Sequence, residues 1–264
     1  MPERKIVTLT TDFGLRDHYV ASLKGTMLAI NPALDIVDAV HDIAGMDVLE
    51  AAFILCGFYR SFPKGTVHLA VVDPGVGGAR RPILVESKDY YFVGPDNGIF
   101  SYIYRDENPQ RVIHLTASQH FAAAVSDTFH GRDIFGPVAA HLLDGLDPRW
   151  LGPAIDDFVR LPLPEPKAGA AAIAGQVVHV DRFGNLVTNI GAGLLAAAAG
   201  RKLRVRAGAA VIEGLAHGYD GAAPGAALAL IGSVGTLEVS VNRGSAAAAL
   251  KLARGAAVTI EIIT

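Results

Sequence analysis

Residues 5–40 read KIVTLTTDFGLRDHYVASLKGTMLAINPALDIVDAV, and three pieces of this stretch decide the fold class. Lys5–Thr11 and Asp35–Val40 are short runs rich in β-branched residues, which suits a pleated, packed strand. Between them, segment 17–30 places Val20, Leu23, Met27 and Ile30 on one face of a helix and stops at Asn31-Pro32. The stretch therefore predicts strand, helix, strand. The pattern continues outward, with strand-like Thr66–Val72, Ile83–Ser87 and Arg111–Leu115 and a second amphipathic segment at 132–144 before Gly145. Such alternation predicts an α/β fold whose N-terminal domain, residues 1–160, has a largely parallel sheet flanked by helices.

Leu161-Pro-Leu-Pro-Glu-Pro-Lys-Ala-Gly carries three prolines and then small residues, which predicts an extended linker over 161–172. Beyond it lie short runs with turn residues between them: Gln176–Asp181, Leu186–Ile190, Lys202–Arg206, Ala227–Ile231, Thr236–Val241 and Ala257–Ile263. Two Ala-rich pieces near 193–199 and 245–253 hold Leu194, Leu195, Leu250 and Leu252 and read as short helices. The C-terminal domain, 173–264, is thus expected to be smaller, mainly β and barrel-like. No internal repeat is visible.

Composition narrows the partners. The chain has 264 residues, 51% of them apolar, enough for packed cores. Charged residues make up 19% and the net charge is −3, so there is no basic footprint for nucleic acid. No apolar run nears the roughly 20 residues that span a bilayer, and residues 1–12 alternate into a strand. A cytoplasmic protein is expected. Cys56, the only cysteine, can form no intrachain disulfide and reads as an inert thiol in an apolar segment.

Acidic residues follow the first domain's apolar runs at Asp12, Asp42, Asp73 and Asp96. Ligand crevices of parallel sheets lie beyond the strands' carboxyl ends, so these side chains should converge on one rim. Turn and cap chemistry is the competing reading of each. Asp73-Pro-Gly-Val-Gly-Gly-Ala-Arg80-Arg81 is a glycine-rich loop between strands. It lacks the Gly-Lys-Ser/Thr closure of a phosphate loop. It could instead hold Asp73 and Arg80 together as a charged pair on the rim, with a structural salt bridge as the alternative. His130, just ahead of the helix at 132–144, sits near positive backbone dipoles that favour a neutral imidazole.

Other chemistries are also open. Gly191-Ala-Gly193-Leu-Leu-Ala196 matches a dinucleotide fingerprint, yet no acid ends the next strand, where a ribose ligand belongs. The Asp and His residues could bind a divalent metal, as in a phosphohydrolase, although no tight His-Asp or His-x-x-x-His spacing occurs.

Taken together, Thr11-Asp12-Phe13-Gly14, Val72-Asp73-Pro-Gly-Val-Gly, Pro95-Asp96-Asn97-Gly98, Thr128-Phe-His-Gly-Arg-Asp133, Asp181-Arg-Phe-Gly-Asn185 and Gly235-Thr-Leu-Glu-Val-Ser-Val-Asn242 resemble the S-adenosyl-L-methionine hydroxide adenosyltransferases. These enzymes are relatives of the fluorinase and chlorinase. The resemblance runs from about residue 5 to the C-terminus. It implies hydrolysis of S-adenosyl-L-methionine to adenosine and L-methionine by attack of activated water at the ribose 5′ carbon, with no cofactor or metal. It also implies a homotrimer whose sites lie between the first domain of one subunit and the second domain of its neighbour.

By the same resemblance, Asp73, Arg80 and His130 are the catalytic, water-activating residues. Asp12 would grip the ribose hydroxyls, and Asp17, Asp181 and Ser233 would surround the methionine ammonium and carboxylate. Asn185, Asn242 and Arg243 would meet the adenine edge, Tyr219 would stack on the base, and Phe183 belongs with these substrate-binding residues. Tyr19 and Val234 stand where the halogenases place Ser and Arg. A non-catalytic nucleoside-binding module would keep Asp12, Asn185 and Tyr219 without needing Asp73, Arg80 and His130.

Overall fold

Strand β1 (Ile6–Thr11) is buried along its whole length and pairs in parallel with β2 (Asp35–Val40) on one side and β3 (Val67–Val71) on the other. Helix α1 (Tyr19–Ile30) makes the first crossover, with Val20, Leu23 and Met27 buried. The computed structural model describes residues 4–196, 198 and 200–263. Its two compact units meet in sequence at Pro162 and Leu163.

In the first unit, β5 (Tyr91–Pro95) pairs in parallel with β3, while β4 (Pro82–Glu86) runs antiparallel to both β5 and β6 (Arg111–His114). The order across the sheet is β2-β1-β3-β5-β4-β6. Alternation along β3 shows how both faces are filled. Val67, Leu69 and Val71 join Leu23, Met27 and Val138 on one side. Ala70, with Val72 just beyond the strand, joins Leu55, Ile99 and Ile103 on the other. The second face is covered by α2 (Val48–Phe58) and α3 (Ser101–Glu107). Fully burying each large aliphatic side chain contributes about 1.5–3 kcal/mol, so this two-sided packing dominates the stability of the unit.

The helix expected at 132–144 opens with a π turn at Gly131–Phe135 before α4 (Gly136–Leu143). Pro137 explains the irregularity, because it has no N–H and its ring crowds the carbonyl four residues back. That carbonyl, of Asp133, instead accepts from Ala122 N–H at 2.8 Å.

The second unit is built from antiparallel pairs. They comprise β7 (Lys167–Ala168), β8 (Ala172–Val180), β9 (Leu186–Gly191), β10 (Lys202–Ala207), β11 (Ala210–Glu213), β12 (Ala227–Ile231), β13 (Thr236–Val241) and β14 (Ala257–Ile263). Strand β8 turns a corner, pairing with β14 through Ala172–Gln176 and with β9 through Val177–Val180. Past β11, Ala216 N–H donates to Ala229 O in β12 at 2.8 Å. The sheet thus curls toward closure, as a barrel does. Short β7 lies inside the stretch expected as linker, because Lys167 and Ala168 find partners in Ala174 and Ile173. Of the helix expected at 193–199, α5 covers Ala192–Ala196, and positions 197 and 199 lie outside the described residues. Helix α6 spans Ala246–Leu250, with Ser245 as its cap.

Candidate active site

Strands β1, β3 and β5 point the same way, so their carboxyl ends form one rim. The glycine-rich loop leaves β3 there. Gly77 has φ +74°, and a Cβ on it would lie 2.1 Å from Asp127 O, so only glycine lets this loop close onto residues 127–130. The approach brings Arg80 to His130. Arg80 Nε donates to Asp73 Oδ1 at 3.0 Å and to Oδ2 at 2.8 Å, and Nη2 donates to Oδ2 at 2.5 Å. The same Nη2 lies 2.6 Å from His130 Nδ1. The side chains of Arg80 and Asp73 are 9% and 5% exposed, and the guanidinium carbon sits 5.3 Å from the centre of the Phe135 ring. Burial, and then the charge of Arg80, hold the His130 pKa below that of an ordinary histidine.

A pocket of about 110 Å³ is lined by Asp12, Phe13, Asp73, Phe129 and His130 among others. Asp12 leaves β1 in a turn where Gly14 takes φ +65°. Its Oδ2 accepts the N–H of Met46 at 3.0 Å, and the carboxylate retains further lone pairs. Asp73, His130 and the Asp12 acceptor therefore line one small cavity, and Arg80 is hydrogen-bonded to the first two.

The expectation that four acids converge holds for only two. Asp96 is buried against Arg81, which donates to its Oδ2 at 2.7 Å, and Val159 N–H donates to its Oδ1 at 2.8 Å. Asp96 is therefore a structural anchor. Asp42 is exposed, whereas its neighbour His41 is buried. The Cys56 thiol donates to Asp106 at 3.3 Å, and burial and then Asp106 push its pKa up to about 12, so it stays protonated and unreactive.

In the second unit, Phe183, Asn185, Tyr219 and Arg243 line a cleft of about 490 Å³. Phe183 and Tyr219 are exposed and Asn185 is buried, a lining suited to a flat ring with polar edges. Asp181 organises the turn below them. Its Oδ1 accepts the N–H groups of Phe183 and Asn185 at 2.9 and 2.8 Å, and its Oδ2 accepts Asn185 Nδ2 at 2.9 Å. Asn242 Nδ2 donates to Ala222 O at 2.7 Å, and Arg243 takes a left-handed turn at φ +55°. Asp17 and Ser233 are exposed, on the segment before α1 and in the β12–β13 turn.

Glu238 escaped the reading of the sequence. It is buried on β13 and accepts the Tyr219 hydroxyl at 2.9 Å and Ser240 Oγ at 2.7 Å. Partial burial and then Glu238 push the Tyr219 pKa up to about 12, so the ring stays a donor tethered to that carboxylate. An acid in an apolar strand, two residues from a serine on the same face, was the available signal. The dinucleotide-like glycines join β9 to α5 within an antiparallel sheet, so the strand-helix-strand crossover that the fingerprint needs is absent. Among the described residues, no group of three His, Cys, Asp or Glu side chains is placed to hold a metal ion, and no helix is long and apolar enough to cross a membrane.

Both units have counterparts among known proteins. Residues 7–152 match the model of the SAM hydroxide adenosyltransferase N-terminal domain, and residues 175–259 match that of its C-terminal domain. A Thermus thermophilus protein named (R)-S-adenosyl-L-methionine hydrolase is 38% identical, over 94% of this chain and 96% of the relative. One of the same name from Salinispora tropica is 39% identical, over 94% and 95%. A fluorinase from Nocardia brasiliensis is 26% identical, over 98% and 97%. A crystal structure described as an uncharacterized conserved protein from Thermotoga maritima superposes with a TM-score of 0.91 at 35% identity, covering 97% of this chain and 99% of that one. Domain models that span both units, together with relatives similar along nearly their whole length, establish that the chain belongs to the SAM hydroxide adenosyltransferase family.

Proposed function

We propose that the protein hydrolyses S-adenosyl-L-methionine to adenosine and L-methionine, and that Asp73, Arg80 and His130 activate the attacking water. One observation carries the reading: a single guanidinium is shared by a carboxylate and an imidazole in the pocket that also holds Asp12. The C5′–S bond ends in a cationic sulfur that departs as a neutral thioether, so displacement chiefly requires an oxygen nucleophile held in line opposite sulfur. The water oxygen bonds to C5′, the C–S electron pair stays on sulfur, and one proton is released. Arg80 stabilises the negative charge that grows on the water oxygen. Its hydrogen bond to Nδ1 leaves the His130 hydrogen on Nε2, so the neutral ring orients the nucleophile as a donor. Asp73 Oδ1, which takes one hydrogen bond from Arg80, keeps a lone pair for the proton.

Asp12 accepts from the ribose hydroxyls in this reading. The adenine lies against Tyr219 and Phe183, with Asn185, Asn242 and the backbone of Arg243 at its edge. Asp17, Asp181 and Ser233 serve the methionine end. Exposed rings at Phe183 and Tyr219 above a buried amide at Asn185 support that assignment. The relatives' name specifies the R epimer at sulfonium, and we assign the same epimer here. The assembly is a homotrimer in the cytoplasm, each site being shared by neighbouring subunits. Incubating EDTA-treated protein with each sulfonium epimer and chromatographing the products tests the proposal. Adenosine and methionine from the R epimer are expected. Absence of both products from either epimer overturns the reading, and activity lost on chelation and restored by a divalent ion replaces it with metal-dependent hydrolysis.

A further inference from the structure

The first unit contains a polar chain, buried at its Thr11–His41 end, that the proposed chemistry does not use. Thr11 ends β1 with no exposure and His41 follows β2 at 5% exposure. Thr11 Oγ1 lies 2.8 Å from His41 Nδ1, His41 Nε2 lies 3.0 Å from Asp38 Oδ1, and Lys24 donates to Asp38 Oδ2 at 2.6 Å. Directions follow from valence. An ionised carboxylate only accepts, so the His41 hydrogen sits on Nε2. Burial raises the Asp38 pKa, but the bonds from Lys24 and His41 outweigh it and hold the group ionised. Thr11 Oγ1 already accepts Phe13 N–H at 3.2 Å. Its own hydrogen therefore goes to Nδ1, because any other direction leaves a buried donor unpaired.

The chain ends on the turn that carries Asp12. His41 grips this turn twice, through Thr11 to Phe13 N–H and through its own carbonyl, which accepts Gly14 N–H at 2.8 Å. Phe13 in turn packs edge-on against Phe129 at 5.6 Å, and a Cβ on Gly131 would lie 3.3 Å from the Phe13 ring, so the residues flanking His130 rest on the same turn. An acid, a histidine and a hydroxyl in series also describe an activated nucleophile. Here the hydroxyl is buried and held by a backbone donor, which excludes attack on a ligand. Buried polar chains cost desolvation unless fully paired, and in return they specify one arrangement. We propose that Asp38, His41 and Thr11 are positioning residues that set the Asp12 turn for recognition of the ribose diol.

This inference rests on Asp12 as the diol acceptor, so the test compares adenosine with 2′,3′-dideoxyadenosine by calorimetry. The wild type should prefer adenosine. Thr11→Val should weaken adenosine binding about five- to tenfold, the loss of one hydrogen-bonded position, and leave the dideoxy ligand nearly unchanged. Thr11→Ser should restore the preference. Asp38→Ala, which cuts the far end near the surface, should move the ratio in the same direction and serves if Thr11→Val does not fold. A wild-type preference that survives intact in a folded Thr11→Val or Asp38→Ala protein overturns the relay alone. A wild type with no preference overturns the role of Asp12, and the relay with it.

Discussion

Nη2 of Arg80 lies 2.6 Å from Nδ1 of His130. A guanidinium has no lone pair, so the imidazole must accept, and protonation at Nδ1 would set two cations against each other. Burial lowers the His130 pKa, and Arg80 lowers it further. As the pH falls, the ring therefore stays neutral past the ordinary histidine value of about 6.5. The acid limb of kcat/KM should lie below that value and should disappear in His130→Asn, whose residual activity lacks that titration. A limb at or above 6.5 contradicts the assigned tautomer.

In the proposed reaction Arg80 and Asp12 act at different stages. Arg80→Ala should lower kcat by about 10²–10³, the usual loss of one preorganised charge-stabilising donor, with substrate Kd changed little. Asp12→Ala should mainly raise Kd, because the diol is bound alike in ground and transition states. Single-turnover rates and calorimetry separate the two. Normal binding by Asp12→Ala, or a wild-type rate in Arg80→Ala, contradicts these roles.

Gly77→Ala tests how the triad is assembled. The new methyl would meet Asp127 O, and φ +74° is unfavourable for alanine. Strain of about 1–3 kcal/mol follows. The glycine loop should withdraw from residues 127–130, separating Arg80 from His130. At least a tenfold loss of kcat is expected, with a circular dichroism spectrum like that of wild type. Unchanged kcat would show that the loop contact does not hold the triad together.

His68 tests the core. Its Nδ1 lies 2.8 Å from Thr8 Oγ1, its Nε2 is buried with no hydrogen-bond partner among the described residues, and burial pulls its pKa down to about 3. The unfolded chain takes up a proton near pH 6.5 while the folded one does not, so the stabilisation is complete above 6.5 and is lost as pH falls toward 3. Denaturant titrations of wild type should show stability falling by up to about 1.4 kcal/mol per pH unit more steeply in this window than those of a Thr8→Val/His68→Phe variant. Identical slopes would contradict a neutral, buried His68.

Much of the fold was legible because the first unit writes its strands as β-branched runs and its first helix as a single apolar stripe. Helix α2 was not legible, because VLEAAFILCGF is apolar on most faces and shows no 3.6-residue period. Nor was the reversal of β4, since side-chain alternation is the same in either direction. The π turn beside His130 was not legible either, because 132–144 reads as one continuous apolar stripe and the effect of Pro137 shows only in the backbone. At the site, Asp73 and Arg80 could be paired from the loop that joins them. His41 and Glu238 could not be placed, because their partners come from neighbouring strands or a distant turn and register is not written in local sequence.

In the proposed reaction, water activated by Asp73, Arg80 and His130 displaces methionine from C5′. Turnover in water enriched in heavy oxygen, followed by mass spectrometry of both products, tests it most directly. The heavy atom should appear in the 5′-hydroxyl of adenosine and not in methionine, at a rate that collapses in Asp73→Asn. Adenosine without the label, label in the methionine carboxylate, or undiminished labelling by Asp73→Asn would rule out this reaction.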